Sequence, residues 1–181
     1  MNSKELSGME LIDKNAKDVA KIAEISFDTK TYGITKIIAS TGNPISKKFY
    51  EIDPKNILAL GDYLLIDTTV EELSQNKLDK IPESTGTNIK INESVGKTVI
   101  DADGNVAGKI ANIDINFDNL EVENVTLAKS SSFGKPKDIY TLSKEDIERF
   151  GDYVITNKKI PNSEKVDEES EKTEEKTVDI E

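Results

Sequence analysis

Leu60-Gly61-Asp62-Tyr63-Leu64-Leu65-Ile66 returns as Phe150-Gly151-Asp152-Tyr153-Val154-Ile155, ninety positions later. Upstream, Tyr50-Glu51-Ile52 answers to Tyr140-Thr141-Leu142 and Ile57 to Ile147. Further back, Lys21-Ile22-Ala23-Glu24-Ile25 answers to Lys109-Ile110-Ala111-Asn112-Ile113 at a spacing of 88. The drift of two residues marks a short insertion in one loop of a shared scaffold. A repeat of this kind sets the architecture before any chemistry is considered. The chain reads as two copies of one small domain.

The second copy shows its strands more openly. Ile113-Asp114-Ile115-Asn116-Phe117-Asp118 alternates apolar and polar residues, as a strand with one buried face does. Thr98-Val99-Ile100 precedes it, and Asp103-Gly104 supplies the residues of a tight hairpin. Val122–Ala128, Asp138–Leu142 and Tyr153-Val154-Ile155 are further strands, with the loop Ser130–Pro136 after the first of these. A short helix is expected from Ser143, with Asp146 completing a capping box and Gly151 as its stop. The first copy uses Asp53 as cap, Pro54 at the first helical position and Gly61 as stop. Several short strands and a helical turn in about 65 residues mean a small barrel or a strongly curled sheet.

Between the copies, Thr69-Val70-Glu71-Glu72 opens a capped helix expected to reach about Lys80, with Val70, Leu73, Leu78 and Ile81 on one stripe and 82–88 as a joint. After Lys159 the chain is rich in Glu, Lys, Ser and Thr, a composition expected to stay disordered. The formal charge of −11 divides accordingly: residues 160–181 carry −6 of it. A domain of about 60 residues is marginal alone, so the duplication reads as a covalent form of a dimer.

The motif scan excludes more than it finds. Gly96-Lys97-Thr98 resembles the end of a phosphate loop, but position 91 is Ile and the following residues read as strand. Asp101-Ala102-Asp103-Gly104-Asn105 resembles a calcium loop, but its glycine is misplaced and position 112 is Asn. With no His and no Cys, the usual general base, the thiol nucleophile and most zinc sites are missing. No carboxylate pair is set in an apolar environment that would split its pKa values. The chain is therefore expected to be non-catalytic and to bind no cofactor or metal. Arg149 is the only arginine beside 23 lysines, and Lys47-Lys48 and Lys158-Lys159 are weak patches, so specific nucleic-acid binding is not expected. No apolar run approaches the roughly 20 residues of a membrane span, and the polar Met1–Glu5 start lacks a signal core. A cytoplasmic location without direct membrane insertion follows as the expectation.

The two Gly-Asp-Tyr tripeptides have a structural reading, in which glycine closes the helix and tyrosine buries its ring, and a functional one as partner contacts. The structural reading is preferred. Pro44, Ile45 and Phe133 lie in equivalent hairpin loops. Such residues more often fold over a barrel end, but together with Phe49 they are the candidate partner-binding residues.

This pattern resembles the PRC-barrel, the small β-barrel named after the photosynthetic reaction-centre H subunit. The resemblance rests on Gly96-Lys97-Thr98-Val99-Ile100-Asp101, Val106-Ala107-Gly108-Lys109-Ile110, Phe117-Asp118 and Gly151-Asp152. In the first copy it rests on Gly8, Ile12-Asp13, Val19-Ala20-Lys21-Ile22, Phe27-Asp28 and Gly61-Asp62. The first copy departs in having no glycine in its first hairpin. The resemblance implies a mainly β fold: PRC-type barrels at 1–68 and 91–159, a helical linker at 69–90 and an acidic tail at 160–181. It also implies a recognition module. A chain built only of PRC-barrels is most similar to the archaeal cell-division (CdpB-type) proteins, adaptors for the FtsZ anchor SepF. The expected partners are SepF, other PRC-barrel proteins or a second copy of this chain, at the division site. The alternative is a ribosome-maturation factor-like assembly protein.

Overall fold

The computed structural model describes residues 1–129 and 137–160; the Ser130–Pro136 loop, Phe133 within it, and the tail from 161 onward lie outside the described residues. The first copy contains α1 (Ser3–Leu6), β1 (Glu10–Ile12), β2 (Asp18–Asp28), β3 (Ile34–Thr41) and β4 (Lys48–Ile52). A 3-10 turn (Pro54–Asn56), β5 (Ile57–Leu60) and β6 (Leu64–Ile66) complete it. The connection holds α2 (Val70–Ser74), β7 (Lys77–Leu78) and β8 (Asn88–Lys90). The second copy repeats the order: α3 (Ile91–Ser94), β9 (Thr98–Ile100), β10 (Val106–Asn116), β11 (Glu121–Lys129) and β12 (Lys137–Ser143). Its own 3-10 turn (Lys144–Asp146), β13 (Ile147–Phe150) and β14 (Val154–Thr156) follow. The fold is mainly β, in two sheets with short helices only.

Each copy is an antiparallel meander whose last strand returns to pair in parallel with its first. Leu64 pairs with Leu11, and Val154 with Val99. The long strands carry bulges at equivalent places, after Ile22 and after Ile110. A bulge adds a residue and shifts the inward face, so burial passes from Ile22 to Ile25 and Phe27, and from Ile110 to Ile113 and Ile115.

The first hairpin of each copy is fixed by a buried aspartate. Asp13 Oδ1 accepts from the N–H groups of Asn15 (2.8 Å) and Lys17 (2.9 Å), and Asp101 Oδ1 accepts from those of Asp103 and Asn105 (both 2.9 Å). These bonds satisfy donors that a tight turn would otherwise leave open. They settle Asp101–Asn105 as a hairpin. Ala16 takes the place of Gly104, with φ +59° against +81°; the missing glycine is replaced by an alanine held in the left-handed region.

The copies exchange their opening segments. Asn2 bridges Asp114, Met1 and Ile115 exchange backbone hydrogen bonds, and Ser3 Oγ donates to Asn112 Oδ1 (3.0 Å). In return, β8 pairs with β2 through Lys90–Ser26, Ile89–Phe27 and Asn88–Asp28, and Glu24 Oε1 accepts from Asn92 N–H (3.2 Å). Between the two exchanges Gly33 bridges its own counterpart, Glu121. Ile34 N–H donates to Leu120 O (2.7 Å) and Val122 N–H to Tyr32 O (2.8 Å). Residue i meeting j while j's equivalent meets i's is the signature of a two-fold interface, here within one chain. Buried residues of both copies, from Leu6 and Phe27 to Ile113 and Val154, form one continuous hydrophobic cluster. The two copies thus share one core.

Three local expectations are corrected. The helices after Asp53 and Ser143 stop after one 3-10 turn, because Ile57–Leu60 and Ile147–Phe150 pair as strands with β6 and β14. Cap and proline signals act locally, and they yield to pairing that satisfies a whole strand. Gly61 and Gly151 are consequently not helix stops. They sit in hairpin turns, donating to Tyr63 O (3.1 Å) and Tyr153 O (2.9 Å), and neither has positive φ. In the connection, the Thr69–Glu72 capping box is present but the helix ends at Ser74, after which β7 pairs with β4.

Candidate interaction groove

The hairpin tip between β3 and β4 is built to present Ile45. Gly42, at φ +98°, lies so close to the returning chain that a Cβ would stand 2.5 Å from Ser46 O. Asn43 Oδ1 accepts from Ile45 N–H (3.0 Å) and Ser46 N–H (2.9 Å), closing the turn. Pro44 is exposed and Ile45 is 96 % exposed, so neither folds over a barrel end. Phe49 is separate from the tip. It lies half-buried in β4, between Ser40 and Leu78. Phe133, the fourth candidate, lies outside the described residues.

The tyrosines of the repeated tripeptide depart from the structural reading. Tyr63 is 49 % and Tyr153 58 % exposed, so their rings are not the buried strand-starters expected. A hairpin turn, unlike a helix end, points residue 63 or 153 away from the core just before the first inward residue, Leu64 or Val154.

One concavity coincides with neither the loop tip nor the repeated tripeptide. It is a groove of about 530 Å³ between β5 of the first copy and the β10–β11 turn of the second. Ile57, Leu58, Leu60, Ile115, Phe117 and Leu120 line it together with Lys55, Asn116, Asp118 and Glu123. Leu58 is 60 % exposed. The lining of the groove thus mixes apolar side chains with polar and charged groups.

The two-fold relation gives the groove a counterpart place in the other half of the molecule. Its counterpart would lie between β13 and the β2–β3 turn, where larger residues take the equivalent places: Phe150 for Leu60, Phe27 for Ile115 and Tyr32 for Leu120. There Phe27 meets Phe150 edge-to-face with centroids 5.5 Å apart and stacks on Tyr32 at 6.4 Å. The strand edge on that side is also covered. Thr29 N–H donates to Thr87 O (2.8 Å), and Thr87 Oγ1 donates to Asp28 Oδ2 (2.6 Å). With Thr31 and Lys30 N–H also donating to Asp28, its pKa falls to about 2, the Thr87 hydroxyl being the largest cause. The signal that could have revealed the groove was in the sequence, as three large-for-small exchanges between copies.

The carboxylates act on the backbone. Asp13 and Asp101 are held below the ordinary range, each first by one backbone N–H, of Lys17 and Asn105 respectively. Glu24 is pushed up by burial, and its oxygen accepts from the N–H groups of Ile25 (3.0 Å) and Asn92. Among the described residues, no group of three or more His, Cys, Asp or Glu side chains is placed to hold a metal ion. No helix among them is long and apolar enough to cross a membrane.

Residues 1–73 match the PRC-barrel domain family. The second β-sheet unit, which follows the same element order, is consistent with tandem PRC-barrels. No curated protein matches the chain.

Proposed function

We propose that this protein is a non-catalytic interaction scaffold, two PRC-type barrels in tandem, that joins partner proteins. The observation that carries the reading is the groove: an open concavity of about 530 Å³ lined by residues of both copies, with apolar side chains beside polar and charged ones. Ile45, Tyr63 and Tyr153 add large apolar surface at loop and hairpin tips, where partner contacts concentrate. The resemblance to archaeal cell-division PRC-barrel proteins extends the proposal to a partner, the FtsZ anchor SepF, and to the division site. Crosslinking and pull-down of the tagged chain from its native cell, with microscopy of the same fusion, tests both levels. Recovery of SepF and a mid-cell band support the division role. A uniform signal without SepF rejects that role, and recovery of no protein at all rejects the scaffold.

A further inference from the structure

We infer that the two Gly-Asp-Tyr turns, Gly61–Tyr63 and Gly151–Tyr153, are equivalent contact sites for arginine side chains of a partner protein, so that one chain presents the same site twice. The inference rests on the scaffold reading and names the chemistry of the partner. The tripeptide is identical in both copies, while the strands on either side of it have diverged. Residues 57–60 read Ile-Leu-Ala-Leu against Ile-Glu-Arg-Phe at 147–150, and 64–67 read Leu-Leu-Ile-Asp against Val-Ile-Thr-Asn at 154–157. The hairpin needs none of the three residues, since its closing bonds, Gly61 N–H to Tyr63 O and Gly151 N–H to Tyr153 O, are main-chain. Neither glycine has positive φ. A Cβ would meet nothing within 4 Å at Gly61 and only Tyr153 O, at 3.9 Å, at Gly151. Asp62 and Asp152 are exposed, and among the described residues neither carboxylate makes a hydrogen bond or an ion pair. Tyr63 and Tyr153 are about half exposed and belong to neither ring pair. Exposed residues repeated without a packing reason point to recognition, and tyrosine is among the commonest interface anchors. A carboxylate next to a phenol ring fits arginine in particular. The guanidinium fork donates two parallel N–H bonds to the carboxylate and its plane stacks on the ring, whereas lysine has neither fork nor plane. Glycine leaves the main chain open to close approach. The formal charge of −11, with Arg149 as the one arginine, favours a cationic partner and opposes nucleic acid.

The test uses the full chain and two blocked peptides, Ala-Arg-Ala-Arg-Ala and its lysine analogue, titrated at about 0.15 M salt so that long-range attraction is screened. Amide and ring signals of each turn are followed by NMR. Tyr63→Ser and Tyr153→Ser, singly and together, are the variants; both rings are exposed, so the fold does not depend on them. The arginine peptide is expected to shift both turns, with dissociation constants equal within about threefold. It should bind each turn about threefold or more tightly than the lysine peptide, the size of a cation–ring contact at an exposed site. Each single variant should weaken binding at its own turn by a similar factor and leave the other turn unchanged. No response at either turn, a response at one turn only, equal binding of the two peptides, or tyrosine variants that bind as wild type overturns the inference. The scaffold reading falls separately: a native partner recovered equally by wild type and the double variant keeps the scaffold and removes these contacts.

Discussion

Phe27→Ala tests whether the two copies share one core. Phe27 is fully buried, belongs to the first copy, and packs edge-to-face on Phe150 of the second and against Tyr32. Truncating a buried phenylalanine costs about 4 kcal/mol when its surroundings cannot collapse, of which ~1 kcal/mol belongs to the ring pair. Against a total stability of roughly 5–15 kcal/mol this is a large share. At ~2–4 °C per kcal/mol for a chain of this size, the midpoint should fall by roughly 8–16 °C. Calorimetry and urea titration give the size of the effect, and hydrogen exchange resolved peptide by peptide gives its reach. Because the ring is shared, β9–β14 should lose protection together with β1–β6, in one transition. The counterpart substitution Ile115→Ala, of a smaller side chain beside the open groove, should cost less. Two separated transitions, or loss of protection confined to the first copy, would refute the shared core.

Three further outcomes are expected. Ala16→Gly should stabilise by about 0.5–1 kcal/mol, since an alanine at φ +59° carries a left-handed strain that glycine avoids; a lowered urea midpoint would contradict this. Asp28 has its pKa lowered from 3.8 to about 2, so its stabilising contribution is present above pH 3.8 and is lost as pH falls through about 2. Asp28→Asn should therefore flatten the acid limb of the stability profile, and an unchanged limb would sink the assignment. Glu24 has a raised pKa, so its ionised form opposes folding above the folded pKa and the cost vanishes below 4.5. Glu24→Gln, whose oxygen can still accept from Ile25 and Asn92, should gain stability at neutral pH and show no gain at pH 4, as thermal melts at the two pH values will report.

What the sequence made legible was local or repeated. The Asp13 and Asp101 turns, the alternation in β10 and the equivalence of the copies all follow from residues near one another or matched at fixed spacing. The helices predicted after Asp53 and Ser143 were misjudged because their cap residues are real, yet the decisive contact is with β6 and β14 across a turn. The helix at Thr69 was over-extended for the same reason: Lys77 and Leu78 satisfy the edge of β4 better than they would continue a solvated helix. Tyr63 and Tyr153 read as interior residues only if a helix ends before them, whereas each sits in a hairpin turn between paired strands. Of the candidate contacts, Pro44 and Ile45 stand at a tip, Phe49 is a strand residue, and the groove is not legible in either copy alone because Leu60 of one copy and Ile115 and Leu120 of the other build it together.

The exchanged opening segments have a consequence for biosynthesis. Met1 and Asn2 find their strand partners only at Ile115 and Asp114, more than a hundred positions downstream. At ~5–20 residues per second, those partners leave the ribosome on the order of 10 s later. Until then the nascent first half carries a bare edge on β2, since β8 also arrives late, and contacts this distant in sequence slow folding. Met1 and Asn2 are thus among the last residues of the first copy to be secured, and newly synthesised chains pass through an interval in which a chaperone or a neighbouring nascent chain can compete for that edge.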